Sequence, residues 1–176
     1  MACLLPFTEG VALVDAVRSR RRPILTLDQL SAALDALGNR HGAEKASRVF
    51  AFSTDLSDSV QESRSRVLIY EFGFPCPVLQ YELVCDGRRY LADFWWPVQR
   101  HWGEFDGLGK YLSAEFQAGR TPDQIVVAEK RREDAIRRNV AAFSRWDVRD
   151  LNDPARLYRI LTEAGLPCEG RRMLPS

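Results

Sequence analysis

The sequence predicts an α/β fold: a mixed central sheet of about four strands flanked by helices, after a small N-terminal helical segment over residues 1–55. Three observations carry this reading. Apolar residues recur at helical spacing through the first 55 positions. Three strand-like runs then follow one another, punctuated by an Asp-Gly pair and a proline. A long helical stretch separates the third run from a fourth, and that separation suits a sheet in which not every neighbour is antiparallel.

In chain order, "FTEGVALVDAVRS" places Val11, Val14, Ala16 and Val17 on a helical face. Thr26 caps a second helix, "TLDQLSAALDAL", which stops at Gly38. A short third helix covers 42–52. A fourth is capped by Ser57, Asp58 or Ser59, runs to about Tyr70 and ends at Gly73, after which Pro75 and Pro77 impose an extended chain. This fourth helix opens the second predicted domain, residues 56–170. "VLQYELVC" (78–85) reads as a strand, "DG" (86–87) as a hairpin turn and "RRYLADFWW" as the returning strand, ended by Pro97. "QRHWGEFD" is a third strand, ended by Gly107, and a helix is expected at about 109–118. Thr121 and Pro122 open the long helix "TPDQIVVAEKRREDAIRRN". "VAAFSRWDV" is a fourth strand, and "NDPARLYRILTEAG" a last helix with Asn152 or Asp153 as cap.

Composition narrows the function classes. At 176 residues the chain is long enough to bury one sizeable core. No apolar run approaches the length of a membrane span, and no basic start leads into an apolar core, so a cytoplasmic protein without a membrane partner is expected. A formal net charge of +1 gives no global field for a polyanion. Local clusters such as "RSRRR" and "EKRREDAIRR" do concentrate arginine, which suits phosphate contacts and equally suits the composition of a GC-rich genome. Cys3, Cys76, Cys85 and Cys168 lack C-x-x-C spacing and only His41 and His101 accompany them, so no structural zinc site is expected.

The stretch "LADFWWPVQRHWGEFDGLGKY" is unusual in its carboxylates. Alternation puts Asp93 with Leu91 and Trp95, and Glu104 with Trp102 and Asp106. If the second and third strands pair, Asp93, Glu104 and Asp106 gather at one sheet edge. There they are either strand-end and turn residues or a site for a divalent cation that relieves their repulsion. The four tryptophans are read as core packing ahead of base stacking, and His101 as no metal ligand.

The pieces "SVQESRSRVLIYEFGFPCPVLQYEL", "YLADFWWP", "GEFDGLGKY", "EKRREDAIRRN" and "RWDVRDLNDPARL", in this order over residues 57–165, resemble the PD-(D/E)xK nuclease superfamily. More closely, they resemble the very-short-patch-repair-endonuclease-like domain at the C-terminus of AbiEi-like antitoxin-type proteins of actinobacteria and their phages. The resemblance implies a restriction-endonuclease-like sheet and a Mg-dependent deoxyribonuclease in phage–host conflict, defence or DNA repair. Asp93, Glu104 and Glu62 would hold Mg²⁺ or Mn²⁺, Asp106 would orient water or act as a further ligand, and Lys110 would supply electrostatic support. Gln80, Arg131, Arg132 and Arg138 would touch DNA. The superfamily's usual lysine, two residues after the second carboxylate, is Asp106 here. That departure opens the alternative of a catalytically inactive nuclease fold serving as an antitoxin-like or regulatory protein-binding module. A protein partner or a homodimer is left open.

Overall fold

A computed structural model of the chain describes residues 4–38, 41–106 and 121–170. The chain divides into two compact units, residues 1–75 with 168–176, and residues 76–167. The architecture is α/β, with a four-stranded mixed sheet flanked by helices.

The first unit is helical: α1 (Phe7–Arg18), α2 (Leu27–Asp35), α3 (Ala43–Phe52) and α4 (Val60–Glu71). Phe7, Val11 and Val14, on one stripe of α1, pack with Val49 of α3 and Val67 of α4. Thr26 and Gln29 form a reciprocal capping box at the start of α2. Ser59 caps α4 by accepting from the Glu62 amide at 3.2 Å. Helix α4 stops at Gly73, whose φ of 78° favours glycine. A Cβ there would also stand 1.9 Å from the Gly170 carbonyl oxygen.

Polar burial in this unit centres on Asp15, 1% exposed. Its carboxylate accepts from the Thr54 amide at 2.6 Å, the Ser63 hydroxyl at 2.7 Å and the Arg66 guanidinium at 2.8 Å. Arg66 also lies over the Phe52 ring, 4.5 Å from its centroid.

The second unit contains β1 (Val78–Cys85), β2 (Arg88–Trp96), β3 (His101–Phe105), α5 (Pro122–Arg137), β4 (Ala142–Trp146), α6 (Val148–Asn152) and α7 (Pro154–Glu163). Strands β1, β2 and β3 form an antiparallel meander, and β4 joins parallel to β3, in sheet order β1-β2-β3-β4. The β3–β4 crossover therefore contains α5, as a parallel connection requires. Asp86 and Gly87 have φ of 51° and 70°, both left-handed, which is what a tight hairpin of this type demands. The helix expected at 109–118 lies outside the described residues. The end of the predicted fourth strand is instead helical: Asp147 accepts from the Arg149 and Asp150 amides and starts α6.

Two faces of the sheet are packed differently. On one, Ala92, Trp95 and Trp102 meet Ile136 of α5, with Tyr81, Leu83, Tyr90 and Phe143 around them. On the other, Phe94 contacts Trp96 and Trp146, and Gly103 lets both indoles approach so closely that a Cβ would lie 2.9 Å from each. All four tryptophans are buried.

The alternation of β2 is not regular. Tyr81 pairs with Ala92, so strict alternation would put Trp95 on the opposite face. Yet Tyr81 and Trp95 stack, ring centroids 4.9 Å apart. The side-chain pattern shifts by one residue near Asp93, where the register sets Gln80, with φ of 51°, on the facing strand. The expectation that Asp93 simply shares a face with Leu91 and Trp95 is corrected by this shift.

His101 is fully buried, its Nε2 2.9 Å from the Ser144 hydroxyl. Its Nδ1 has no hydrogen-bond partner among the described residues. Burial lowers its pKa from 6.5 to about 4. The folded state therefore keeps the ring neutral while the unfolded chain protonates it. The stability this contributes is complete above pH 6.5 and is lost as pH falls toward 4, by about 3 kcal/mol for a single site. Denaturant unfolding at a series of pH values, for the wild type and His101→Asn, should show a difference curve with that slope. A flat difference would contradict it.

Candidate functional site

Glu104 lies at the centre of the candidate site. Trp102 and Glu104 share a face of β3, and the indole Nε1 donates to Glu104 Oε1 at 2.7 Å. Arg132, one turn before Ile136 on α5, reaches the same carboxylate with both terminal nitrogens: Nη2 donates to Oε1, and Nη1 donates to Oε2 at 3.3 Å. Arg145, which neighbours Glu104 in the parallel β3–β4 register, donates to Oε2 at 3.0 Å. Glu129 accepts from Arg132 at 3.0 Å and from Arg145 at 2.9 Å. Glu133 accepts from Arg137 at 2.7 Å and lies 3.4 Å from Arg145. Arg137 and Arg145 both lie over the Phe143 ring. Three carboxylates and three guanidiniums thus form one connected network between α5 and the sheet.

Burial by itself pushes the Glu104 carboxyl up. The hydrogen bond and charge of Arg132, the Trp102 indole and the charge of Arg145 together outweigh it and hold the group below its ordinary 4.5. Arg132 and Arg145 are pushed up in turn: burial opposes their charge, and Glu104 and Glu129 favour it more strongly. Glu104 is therefore ionised and neutralised in place.

Asp93 stands beside this network on β2. The β2–β3 ladder runs from Trp96↔His101 to Phe94↔Gly103. One step on, Asp93 Oδ2 accepts from the Phe105 amide at 2.9 Å. A side-chain oxygen thus takes an amide that a main-chain carbonyl would otherwise take. Asp106 follows β3, half-buried, with its amide donating to the Trp146 carbonyl at 2.8 Å. Glu62 belongs to the helical unit, where its carboxylate accepts from the Asp58 amide and the Ser59 hydroxyl, both at 2.9 Å. Lys110 lies outside the described residues.

Of the residues expected to touch nucleic acid, Gln80 is the left-handed residue of β1, Arg131 is exposed on α5 and Arg138 pairs with Asp86 at 2.9 Å. Arg132 is turned inward to Glu104 and Glu129. Arg145 was not singled out from the sequence. Its signal was available: alternation in β4 puts it on the Phe143 face, the face the apolar stripe of α5 covers.

The donor set can be tested against a divalent cation. A carboxylate offers about four lone-pair directions, and Glu104 accepts four donor contacts, three of them from guanidinium nitrogens. Mg²⁺ needs a carboxylate oxygen with a free lone pair. Glu104 in this arrangement does not fit that requirement. Among the described residues, no group of three or more His, Cys, Asp or Glu is placed to hold a metal ion. Among those residues, too, no helix is long and apolar enough to cross a membrane.

Comparison with known proteins adds little to the chemistry. No family model matches the chain, and no solved structure matches it. An uncharacterized protein of Mycobacterium tuberculosis, found in two strains, is 28% identical over 109 residues. The match covers 54% of this chain and 40% of the relative, so the chain spans well under half the length of that protein.

Proposed function

We propose that residues 76–167 are a nuclease-type sheet used as a binding module, an antitoxin-like or regulatory domain, and not a phosphodiesterase working through a metal on Glu104. One observation carries this: the Glu104 carboxylate is held by Arg132, Arg145 and the Trp102 indole. The resemblance implies a cation on Glu104, and guanidiniums hold that carboxylate instead. Opening the site would require breaking charge-assisted hydrogen bonds in a buried setting, the strongest kind a protein makes.

A second reading keeps the metal-dependent deoxyribonuclease, using Mg²⁺ or Mn²⁺ as the resemblance implies. The observation favouring it is the placement of Asp93 and Glu104 one step past the same end of the β2–β3 ladder. The chain order of α4, a hairpin, β3, α5 and β4 also follows the resemblance. Either setting, phage–host conflict or DNA repair, rests on the resemblance alone.

Incubation of supercoiled plasmid with Mg²⁺ or Mn²⁺ separates the two. The binding-module reading expects no nicking by the wild type above the level of Asp93→Ala and Glu104→Ala. Nicking by the wild type that Asp93→Ala abolishes would establish the nuclease.

A further inference from the structure

A second feature of the sheet unit lies away from Glu104, between the β1–β2 turn and α5. A groove of about 320 Å³ is lined by Asp86, Arg88, Tyr90, Arg131, Asp134 and Arg138. Arg131, Asp134 and Arg138 are spaced i, i+3 and i+7, so they share one stripe of α5 and its C-terminal extension. Arg88 and Tyr90, two apart on β2, share a face of the strand. Asp86 brings the tight β1–β2 turn to the groove.

The geometry points to this groove as a binding site for a single-stranded nucleic acid segment, with guanidiniums on its phosphates and Tyr90 against a base. Three guanidiniums face two carboxylates, a local excess of positive charge in a chain whose formal net charge is +1. Arg88 and Arg131 form no ion pair among the described residues. The Arg138–Asp86 pair is 63% and 64% exposed, so its exchange for a phosphate costs little. Arginine's planar fork matches phosphate oxygens. Tyr90 is half-buried and packs against the Ala92–Trp95–Trp102 core, which holds its ring in place without ordering cost on binding. Stacking on such a ring tolerates any base. The volume takes about one nucleotide unit, at the small end of ligand pockets. A duplex keeps its bases stacked inside and presents phosphates only, so it forgoes the tyrosine.

This site rests on the binding-module reading and names its partner; the test is run in EDTA, so its result is independent of whether the chain cuts DNA. Fluorescence anisotropy of a labelled single-stranded DNA oligonucleotide is followed with the full chain at low salt. Binding is expected, tighter than to the matching duplex. Arg88→Ala and Arg131→Ala should each weaken it several-fold and flatten the plot of log affinity against log salt by roughly 0.7. Arg159→Ala, an exposed arginine on α7 with the same charge change, should leave it unchanged. Tyr90→Ala should lose roughly tenfold, and Tyr90→Phe, which keeps the ring, should retain binding. No binding by the wild type, preference for duplex, or equal losses with Arg159→Ala would each overturn the assignment. In the last case the chain still binds nucleic acid, through another surface, and the binding-module reading survives.

Discussion

Asp15→Ala should destabilise the helical unit by about 3–5 kcal/mol, the cost of leaving a buried charge without its partner. Asp15 gathers three donors from different parts of the chain: the Thr54 amide after α3, and Ser63 and Arg66 on α4. Arg66 is almost as enclosed, with its side chain 12% exposed, and its Nη1 donates to the Phe52 carbonyl at 2.5 Å. Alanine removes the acceptor and leaves the guanidinium, a hydroxyl and an amide facing apolar surroundings. Urea unfolding followed by circular dichroism should show the shift as a lower midpoint. Asp15→Asn preserves shape and one acceptor oxygen and should lose less. A midpoint unchanged in Asp15→Ala would mean that water reaches the cluster and replaces the carboxylate.

Arg132→Ala should cost the sheet unit about 3 kcal/mol, because Glu104 keeps its negative charge and loses its closest cation. Glu104→Ala should cost a similar amount, and the double variant less than the sum. A coupling of about 1–3 kcal/mol in the double-mutant cycle would measure the interaction. Additive losses would show that Arg145 and Glu129 absorb the change and that the pair is not the centre of the network. The pH dependence has a fixed sign. Glu104 is held below its ordinary 4.5, so its contribution is complete above that value and disappears as pH falls through the lowered folded pKa. It thus adds to the acid sensitivity of His101, at lower pH. In Arg132→Ala the Glu104 contribution should shrink, because the guanidinium that most favours its charge is gone.

These two clusters also show what a linear reading reaches. The α1–α4 order, the meander and the α5 crossover follow from local rules: Thr26, Ser59 and Thr121 as caps, Asp86-Gly87 as a turn, apolar spacing inside each element. The Glu133–Arg137 pair is an i,i+4 contact and equally local. The start of α6 was missed because Asp147 reads as the tail of a strand unless its cap is weighed. The carboxylates Asp93, Glu104 and Asp106 could be found from sequence, and their partners could not. Arg132 lies 28 residues from Glu104, and Arg145 lies 41 residues from it. No spacing rule links a strand residue to a helix or a parallel strand at that distance. The shift near Asp93 likewise depends on a left-handed Gln80 in another strand, for which the residue type gives no warning.

The sequence by itself therefore determined most of the described elements, their order and the positions of the carboxylates, because capping, turn geometry and hydrophobic period act over a few residues. Only the tertiary structure decided what those carboxylates meet. Burial beneath α5 makes an unpaired Glu104 costly, and the parallel β3–β4 register brings Arg145 alongside it while the helix stripe brings Arg132 above. Charge compensation in that enclosed space, a property of the packed elements and of none of them singly, makes Glu104 the centre of an ion network.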